Sequence, residues 1–296
     1  MSLFKVLERF LRTLTKILCS AGNIYSSPAD ISKLGRAILQ STLLSKAQTR
    51  RWMKPVSHTA DIAISVGAPW EIHRVVVPST KRVVDLYTKS GGIGAYTSKL
   101  ILIPDFDVGF SILAASHGSA FDMHPVSIIA DFIAEIFLPA LETAVREQAE
   151  LKIVGNYATI DEDGLNSSIT LSTDAVKSGF GIEKWIIRDV NMLPVLASLL
   201  TPSPSTTISA RLYPTNNAEN DDGHQMVSYR AVIDFPEDFV DHGAFALNSG
   251  KWFEVDKLTY QGTAFDEFIL KFDSDGCGVS IQPRVSGLWL KKQNEV

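Results

Sequence analysis

The sequence predicts an α+β protein with two regions, the first made of helices and an antiparallel sheet and the second all-β and barrel-like. In the first region, segments with apolar residues at helical spacing precede and follow a set of strand-like segments. After about Glu150, short strand-like segments follow one another with turn residues between them, which is typical of a sandwich or barrel. We therefore predict one domain over residues 1–149 and a second over residues 150–296.

The first segment, MSLFKVLERFLRTLTKILCSAG, predicts an amphipathic helix over residues 3–18, because its apolar residues recur at helical spacing. Charged residues such as Lys5, Arg9 and Lys16 interrupt the apolar stretch, so the segment is a poor signal peptide. The sequence leaves localisation open, with the cytoplasm as the expectation for the chain as given. No later segment has the ~18 uninterrupted apolar residues of a transmembrane helix.

Two short helices are predicted next. In GNIYSSPADISKLGRAILQ, Ser27 followed three residues later by Asp30 forms a capping-box arrangement, and Pro28 suits the first helical position. A second helix is predicted from Ser45 to Met53, just before Pro55.

Strand-like segments then follow from about Val66 to Ala115. APWEIHRVVV, RVVDLYTKS, TSKLILIPD and VGFSILAAS are separated by Gly, Pro and Asp, which predicts an antiparallel meander. SIIADFIAEIFLPALETAVREQAE has helical spacing, and a kink or break is expected at Pro139. The second region contains short strands from KIVGNYATI to VSGLWLKK, interrupted by the polar loops PSPST and NNAENDDGH.

Composition narrows the classes of function. The 296 residues are 45% apolar and 21% charged, as in soluble globular proteins, and the net charge of −5 argues against nucleic acid as a main partner. The two cysteines form neither a disulfide framework nor a metal-binding spacing. The pairs His58–Asp61 and Asp122–His124 lack a third ligand at suitable spacing, and GGIGAY lacks the spacing of a phosphate-binding loop. We therefore predict no metal and no cofactor.

The triplet Lys89-Ser90-Gly91 closes the predicted strand RVVDLYT and is followed by further glycines. In one class of serine acyl-transfer site, Ser-x-x-Lys supplies the nucleophile and a second motif handles protons. A Lys-Thr-Gly strand edges the pocket with positive charge and backbone N–H donors. Lys-Ser-Gly has the composition and setting of this third motif.

From about Gly22 onward, the chain resembles the C-terminal portion of a fungal serine hydrolase of the class C β-lactamase type. The resemblance rests on GNIYSSPADISKLGRAIL, on VGAPWEIHR, similar to the family's Gly-x-Pro-Trp strand, and on YTKSGGIGAYTSKLILIPDFDVGFSILAA, similar to its Lys-Thr-Gly strand pair. It implies a partial β-lactamase/transpeptidase-like domain followed by an appended β-barrel. Members act on β-lactams, esters or peptides through an acyl-serine, and some transfer acyl groups, so a small acyl substrate is implied.

The resemblance implies roles for three positions. Lys89 would lie near the nucleophile and anchor an anionic or polar substrate group, Ser90 would donate a hydrogen bond in the pocket, and the Gly92 N–H would form half of an oxyanion hole. Each position also has a structural interpretation: a solvated lysine at a strand end, a serine in a turn, and a glycine with positive φ.

The chain departs from the family pattern upstream of GNIYSSPAD, where members carry Ser-x-x-Lys and a Tyr-x-Asn-like motif. The one Ser-x-x-Lys, Ser2-Leu3-Phe4-Lys5, lies at the extreme N-terminus with no preceding strand or core to position it, and so short a motif occurs by chance. We therefore expect no catalytic nucleophile in this chain, a truncated family member, and no activity of the chain alone.

Three hypotheses follow. The chain is a serine hydrolase or acyltransferase without its N-terminal part, a non-catalytic binding or remnant module, or a membrane-surface protein that uses the basic first helix. Without the family's N-terminal portion, the sheet containing Lys89 would have an unpaired edge and uncovered apolar surface, so self-association is expected.

Overall fold

The computed structural model describes residues 24–116, 123–200, 208–234, 252 and 254–293. The chain divides into two compact units, residues 1–141 and 142–296. The amphipathic helix expected over residues 3–18, the Ser-x-x-Lys that begins at Ser2, and Asp122 of the second candidate metal pair lie outside the described residues. The domain boundary expected near Glu150 stays a prediction.

The two short helices begin as the sequence predicts. Before helix α1 (Pro28–Leu39), the Ser27 side chain accepts a hydrogen bond from the Asp30 N–H at 3.2 Å. Helix α2 (Lys46–Trp52) begins with a capping box in which Ser45 and Gln48 satisfy each other's backbone N–H groups. Both predicted helices are confirmed.

Six strands of the first unit form one antiparallel sheet. In chain order they are β1 (Ser57–His58), β2 (Ile64–Val66), β3 (Glu71–Val76), β4 (Val83–Ile93), β5 (Tyr96–Ile103) and β6 (Val108–Ala115). Each strand pairs with the next one along the chain, so the predicted meander is confirmed. The hairpin between β4 and β5 turns at Gly94, whose φ of 58° favours glycine.

The sheet is covered by helices on both faces. On one face it packs against α1 through Ile38 and Leu102. On the other face it packs against the first part of helix α3 (His124–Lys152) through Leu86 and Leu138. Side chains of a strand alternate between its two faces, so the even-numbered residues of β4 lie on the α3 face.

Helix α3 runs through Pro139, so the break expected there is not present. Proline removes one N–H donor from a helix interior. Leu138, the preceding residue, is buried against the sheet, and the packing of this apolar face offsets the lost hydrogen bond.

The second unit is a closed antiparallel barrel of eight strands. In barrel order they are β9 (Phe180–Ile187), β11 (Ser209–Asp221), β12 (His224–Asp234), β15 (Glu267–Phe272), β16 (Gly278–Pro283), β17 (Leu290–Lys292), β7 (Gly155–Ile160) and β8 (Asn166–Ser172). The ring closes because β8 pairs with β9. The predicted fold class, helices with an antiparallel sheet followed by a β-barrel, is confirmed.

Aromatic side chains fill the barrel core. Trp185 and Phe268 are buried side by side, with ring centroids 5.1 Å apart, and Tyr157 is buried in the same cluster. The connections between barrel strands contain four short elements: β10 (Val190–Asn191), α4 (Met192–Leu200), β13 (Thr259–Tyr260) and β14 (Thr263–Ala264). The strand-like pattern of the second region does not predict α4, whose apolar side packs into the barrel core.

Candidate active site

The Lys-Ser-Gly segment lies where β4 extends beyond its neighbour β3. The register places Glu71, the first residue of β3, opposite Thr88 of β4. From Lys89 to Ile93, β4 pairs with β5 on one edge, and its other edge has no strand partner within the described sheet. An edge of this kind leaves backbone N–H and C=O groups free to meet a ligand.

Glu71 contacts both side chains that the sequence singled out. Its Oε1 accepts a hydrogen bond from Lys89 Nζ at 2.6 Å. Its Oε2 accepts one from Ser90 Oγ at 2.6 Å and one from the Ser90 N–H at 3.1 Å. Sequence reasoning missed Glu71, although it follows Trp70 within the Gly-x-Pro-Trp segment. The carboxylate therefore joins the first residue of β3 to the Lys-Ser-Gly segment.

The structure places Lys89 and Ser90 together at the open edge. Lys89 Nζ also donates to the Ser90 carbonyl oxygen at 3.0 Å, so the ammonium group is held at this edge although the side chain is 46% exposed. Ser90 is partly buried and lies inside the strand, not in a turn. Both side chains are thus ordered by hydrogen bonds within the strand end.

The Glu71–Ser90 pair is a poor nucleophile–base pair. Partial burial raises the pKa of Glu71, but the hydrogen bonds from Lys89 and Ser90 and the lysine's charge together hold that pKa below its ordinary value. A carboxylate of low pKa takes a proton from a hydroxyl group inefficiently. Ser90 is therefore suited to donating a hydrogen bond rather than to attacking a carbonyl.

Gly92 presents a backbone donor at the same edge. Backbone N–H groups two residues apart in a strand point to the same side. Because the Ser90 N–H points to Glu71, the Gly92 N–H also points to the open edge, beyond the start of β3. Gly92 is exposed and pairs with Thr97, and the left-handed glycine of this hairpin is Gly94.

Two further polar groups lie on the α3 face of the sheet near this edge. Lys99 is opposite Ser90 in the strand register. His73 lies on the same face as Glu71, and burial followed by the positive charge of Lys99 holds the pKa of His73 below its ordinary value. Burial and the charge of Lys99 thus favour the neutral form of His73, and the side chains of Lys89 and Lys99 carry the positive charges near Ser90.

His58 and Asp61 of the first candidate metal pair make local hydrogen bonds. His58 Nδ1 is 3.0 Å from Ser65 Oγ, and an Asp61 carboxylate oxygen accepts a hydrogen bond from the Ala63 N–H at 2.8 Å. Within the described part of the chain, no group of three or more His, Cys, Asp or Glu residues is arranged to hold a metal ion. No helix in that part is long and apolar enough to cross a bilayer.

Comparison with known proteins shows fungal relatives. A "Beta-lactamase-like protein" of Arthroderma benhamiae is 29% identical over 293 residues, covering 90% of this chain and 48% of its own length. A "Probable hydrolase M10" of a Phoma species is 28% identical over 181 residues, covering 60% of this chain and 28% of its own length. The chain thus spans about half the length, or less, of these curated relatives.

A solved structure also matches in part. The octameric penicillin-binding protein homologue from Pyrococcus abyssi covers 72% of this chain and 46% of its own length, with 16% sequence identity and a TM-score of 0.30.

The barrel region identifies the family. Residues 145–294 match a family model described as "Beta-lactamase-like-like, C-terminal domain". This match covers half of the 296 residues, and together with the Arthroderma benhamiae relative it confirms the family resemblance. The chain belongs to the beta-lactamase-like C-terminal domain family.

Proposed function

We propose that this chain provides the Lys-Ser-Gly strand and the barrel of a β-lactamase-family serine hydrolase or acyltransferase. Its substrate class is an ester, an amide or a β-lactam, with natural-product acyl compounds among the candidates. One observation carries the proposal: the Lys89 ammonium, the Ser90 hydroxyl and the Gly92 N–H lie together on an edge of β4 that has no strand partner among the described residues.

Each of the three groups has a definite task in this proposal. Lys89 supplies positive charge beside the pocket, and the Ser90 hydroxyl donates a hydrogen bond within the pocket, where Glu71 Oε2 accepts it. The Gly92 N–H stabilises the negative charge that develops on the substrate carbonyl oxygen when a serine attacks it. In this proposal, the attacking serine and its lysine belong to a Ser-x-x-Lys element, which members of the family carry upstream of the segment that corresponds to GNIYSSPAD.

The names of the relatives support a hydrolase function. The Phoma protein and a Cochliobolus lunatus protein, "Probable hydrolase clz13", are both named as hydrolases, and the second is 29% identical over 178 residues. The alternative function, a non-catalytic binding module, is favoured by the poor basicity of Glu71 beside Ser90. Hydrolysis by a joined protein, described below, separates the two functions.

The chain alone is expected to form no covalent adduct with a fluorophosphonate or a β-lactam. Ser90, the serine of the candidate site, contacts a carboxylate of lowered pKa and therefore lacks a suitable base. Intact-mass spectrometry after incubation with each probe measures this directly. A stoichiometric adduct on any serine, with Ser2 and Ser90 included, contradicts the expectation.

Joining the chain to the part of the Arthroderma benhamiae relative that lies outside their match is expected to produce hydrolysis of a p-nitrophenyl ester. In this joined protein, Gly92→Pro removes the N–H donor and should lower kcat roughly a hundred- to a thousandfold. Gly92→Ala keeps the N–H and is the matched control, with kcat expected to change little. Equal kcat for both variants, or no hydrolysis by a folded joined protein, contradicts the proposed function.

A further inference from the structure

Glu71 fills the position at the Lys-Ser-Gly edge where a bound carboxylate would lie. Three donors of two adjacent residues meet its two oxygens: Lys89 Nζ at 2.6 Å from Oε1, and the Ser90 hydroxyl and N–H at 2.6 and 3.1 Å from Oε2. A cation, a hydroxyl and a backbone N–H that converge on one carboxylate are a typical arrangement for binding an anion.

This arrangement differs from an ordinary cross-strand ion pair. The same two strands carry such a pair, in which Arg74 Nε and Nη2 contact Asp85 at 3.0 and 3.3 Å with side-chain donors alone. Surface pairs of that kind contribute little to stability. Glu71 instead engages a backbone N–H on the part of β4 beyond β3, where no strand of the described sheet competes for that donor.

The local structure holds Glu71 in this place. Its backbone pairs with Thr88, and the Thr88 hydroxyl donates to the Glu71 carbonyl oxygen at 2.8 Å. The preceding residue, Trp70, is buried in the α1-side cluster and packs against Trp52 with ring centroids 5.0 Å apart. Glu71 therefore begins the strand at an anchored point, with its side chain directed at the end of β4.

We propose that the Glu71 carboxylate occupies this anion-binding position and so determines substrate specificity. The part of the substrate that lies beside Lys89 and Ser90 is then uncharged. This inference rests on the proposed function and narrows its substrate class to neutral esters or amides, as opposed to acyl compounds with a carboxylate beside the scissile bond. A carboxylate substrate would have to displace Glu71 from three charge-assisted or backbone hydrogen bonds and then lie beside its negative charge. A neutral carbonyl reaches the Gly92 N–H without displacing Glu71.

The chain alone is sufficient for the test, with sodium benzoate as the probe and the Ser90 amide resonance in a ¹H–¹⁵N NMR spectrum as the readout. Glu71→Ala and Glu71→Gln should each show a saturable shift of Ser90 on addition of benzoate. The wild-type protein should show none at concentrations about tenfold above the dissociation constant of the variants, since hydrogen bonds to charged groups contribute at least this factor. Retention of the remaining amide spectrum establishes that each variant is folded.

Three matched variants make the assignment specific. In the Glu71→Ala background, Lys89→Met should abolish the benzoate shift, whereas Lys99→Met should leave it. Asp85→Ala, which removes the Arg74–Asp85 ion pair of the same strands, should not produce a benzoate-dependent shift of the Ser90 amide resonance. A wild-type protein that binds benzoate at Ser90 as tightly as Glu71→Ala, or two folded Glu71 variants that do not bind it, overturns the inference. Because these measurements need no nucleophile, they are independent of ester hydrolysis by the joined protein, whose absence contradicts the proposed function instead.

Discussion

Residues 142–296, produced without the rest of the chain, are expected to unfold in one cooperative transition, and Phe268→Ala is expected to lower their free energy of unfolding by about 3–5 kcal/mol. The ring of strands closes within this unit, so every strand of the barrel has its neighbours without help from the first 141 residues. Phe268 is fully buried beside Trp185, and removing its ring leaves a cavity in a closed core.

The starting point at Glu142 retains the end of α3, which contacts the barrel. Lys292 Nζ donates to the Lys152 carbonyl oxygen at 3.1 Å, and the Tyr157 hydroxyl donates to the Ile153 carbonyl oxygen. A fragment that begins after Ile153 would lack the two carbonyl acceptors of these hydrogen bonds. Its free energy of unfolding would be lower by about 1 kcal/mol for each lost bond.

Circular dichroism and urea unfolding measure both parts of this prediction. Ile160→Ala is the matched control, because this apolar side chain of β7 is 71% exposed and its removal should change the free energy of unfolding by about 0.5 kcal/mol or less. A helical or unfolded spectrum of the isolated fragment contradicts an independent barrel. An equal effect of the two substitutions contradicts the assignment of Phe268 to the core.

Self-association through the outer side of α3 is the second large effect that we expect. Ile128, Phe132 and Ile136 are four residues apart along α3, so they form one apolar stripe, and Phe132 and Ile136 are 62% and 72% exposed. Asp131 and Glu135 are interspersed along it. Large exposed apolar side chains clustered on one helix side are a common site of protein association.

Replacing Phe132 and Ile136 by Ser is expected to raise the dissociation constant of the associated form roughly a hundredfold or more. Burial of one such side chain contributes about 1.5–3 kcal/mol, and about 1.4 kcal/mol corresponds to a factor of ten. Sedimentation velocity over a wide concentration range measures the change. Ile62→Ser is the control, since Ile62 is an isolated exposed side chain in a turn and should not affect association.

Residues 3–18, which lie outside the described residues, are a candidate cover for the same stripe. Residues 3–18 are expected to form a basic amphipathic helix, and their positive charges complement the acidic residues of α3. If the segment covers the stripe, the chain is a monomer that begins to associate when Leu7, Phe10 and Leu14 become Ser. If the chain is a compact monomer at all concentrations and stays so after that triple substitution, both self-association through the stripe and its cover by residues 3–18 are contradicted.

Local features were predictable from the sequence because their causes are local. The caps at Ser27 and Ser45 satisfy N–H groups within three residues, and the meander follows from strands that pair with their immediate neighbours in the chain. The Lys-Ser-Gly strand was also predictable, since Lys89 and Ser90 are adjacent and lie in a segment of strong strand pattern. The catalytic or binding roles of these residues stay proposals.

By itself, the sequence determined helices α1 and α2, the helical pattern of α3, the meander, the barrel-like second region and the candidate motif on β4. Only the tertiary structure determined which side chains meet at the candidate site. Glu71 meets Ser90 because the β3–β4 register brings together residues separated by 19 positions, and no periodicity of either strand encodes that register. The same applies to the path of α3 through Pro139, where burial against the sheet outweighs a local preference to end the helix. Contacts between residues distant in the chain depend on how whole elements pack, so they emerge from the fold and not from the pattern of any single segment.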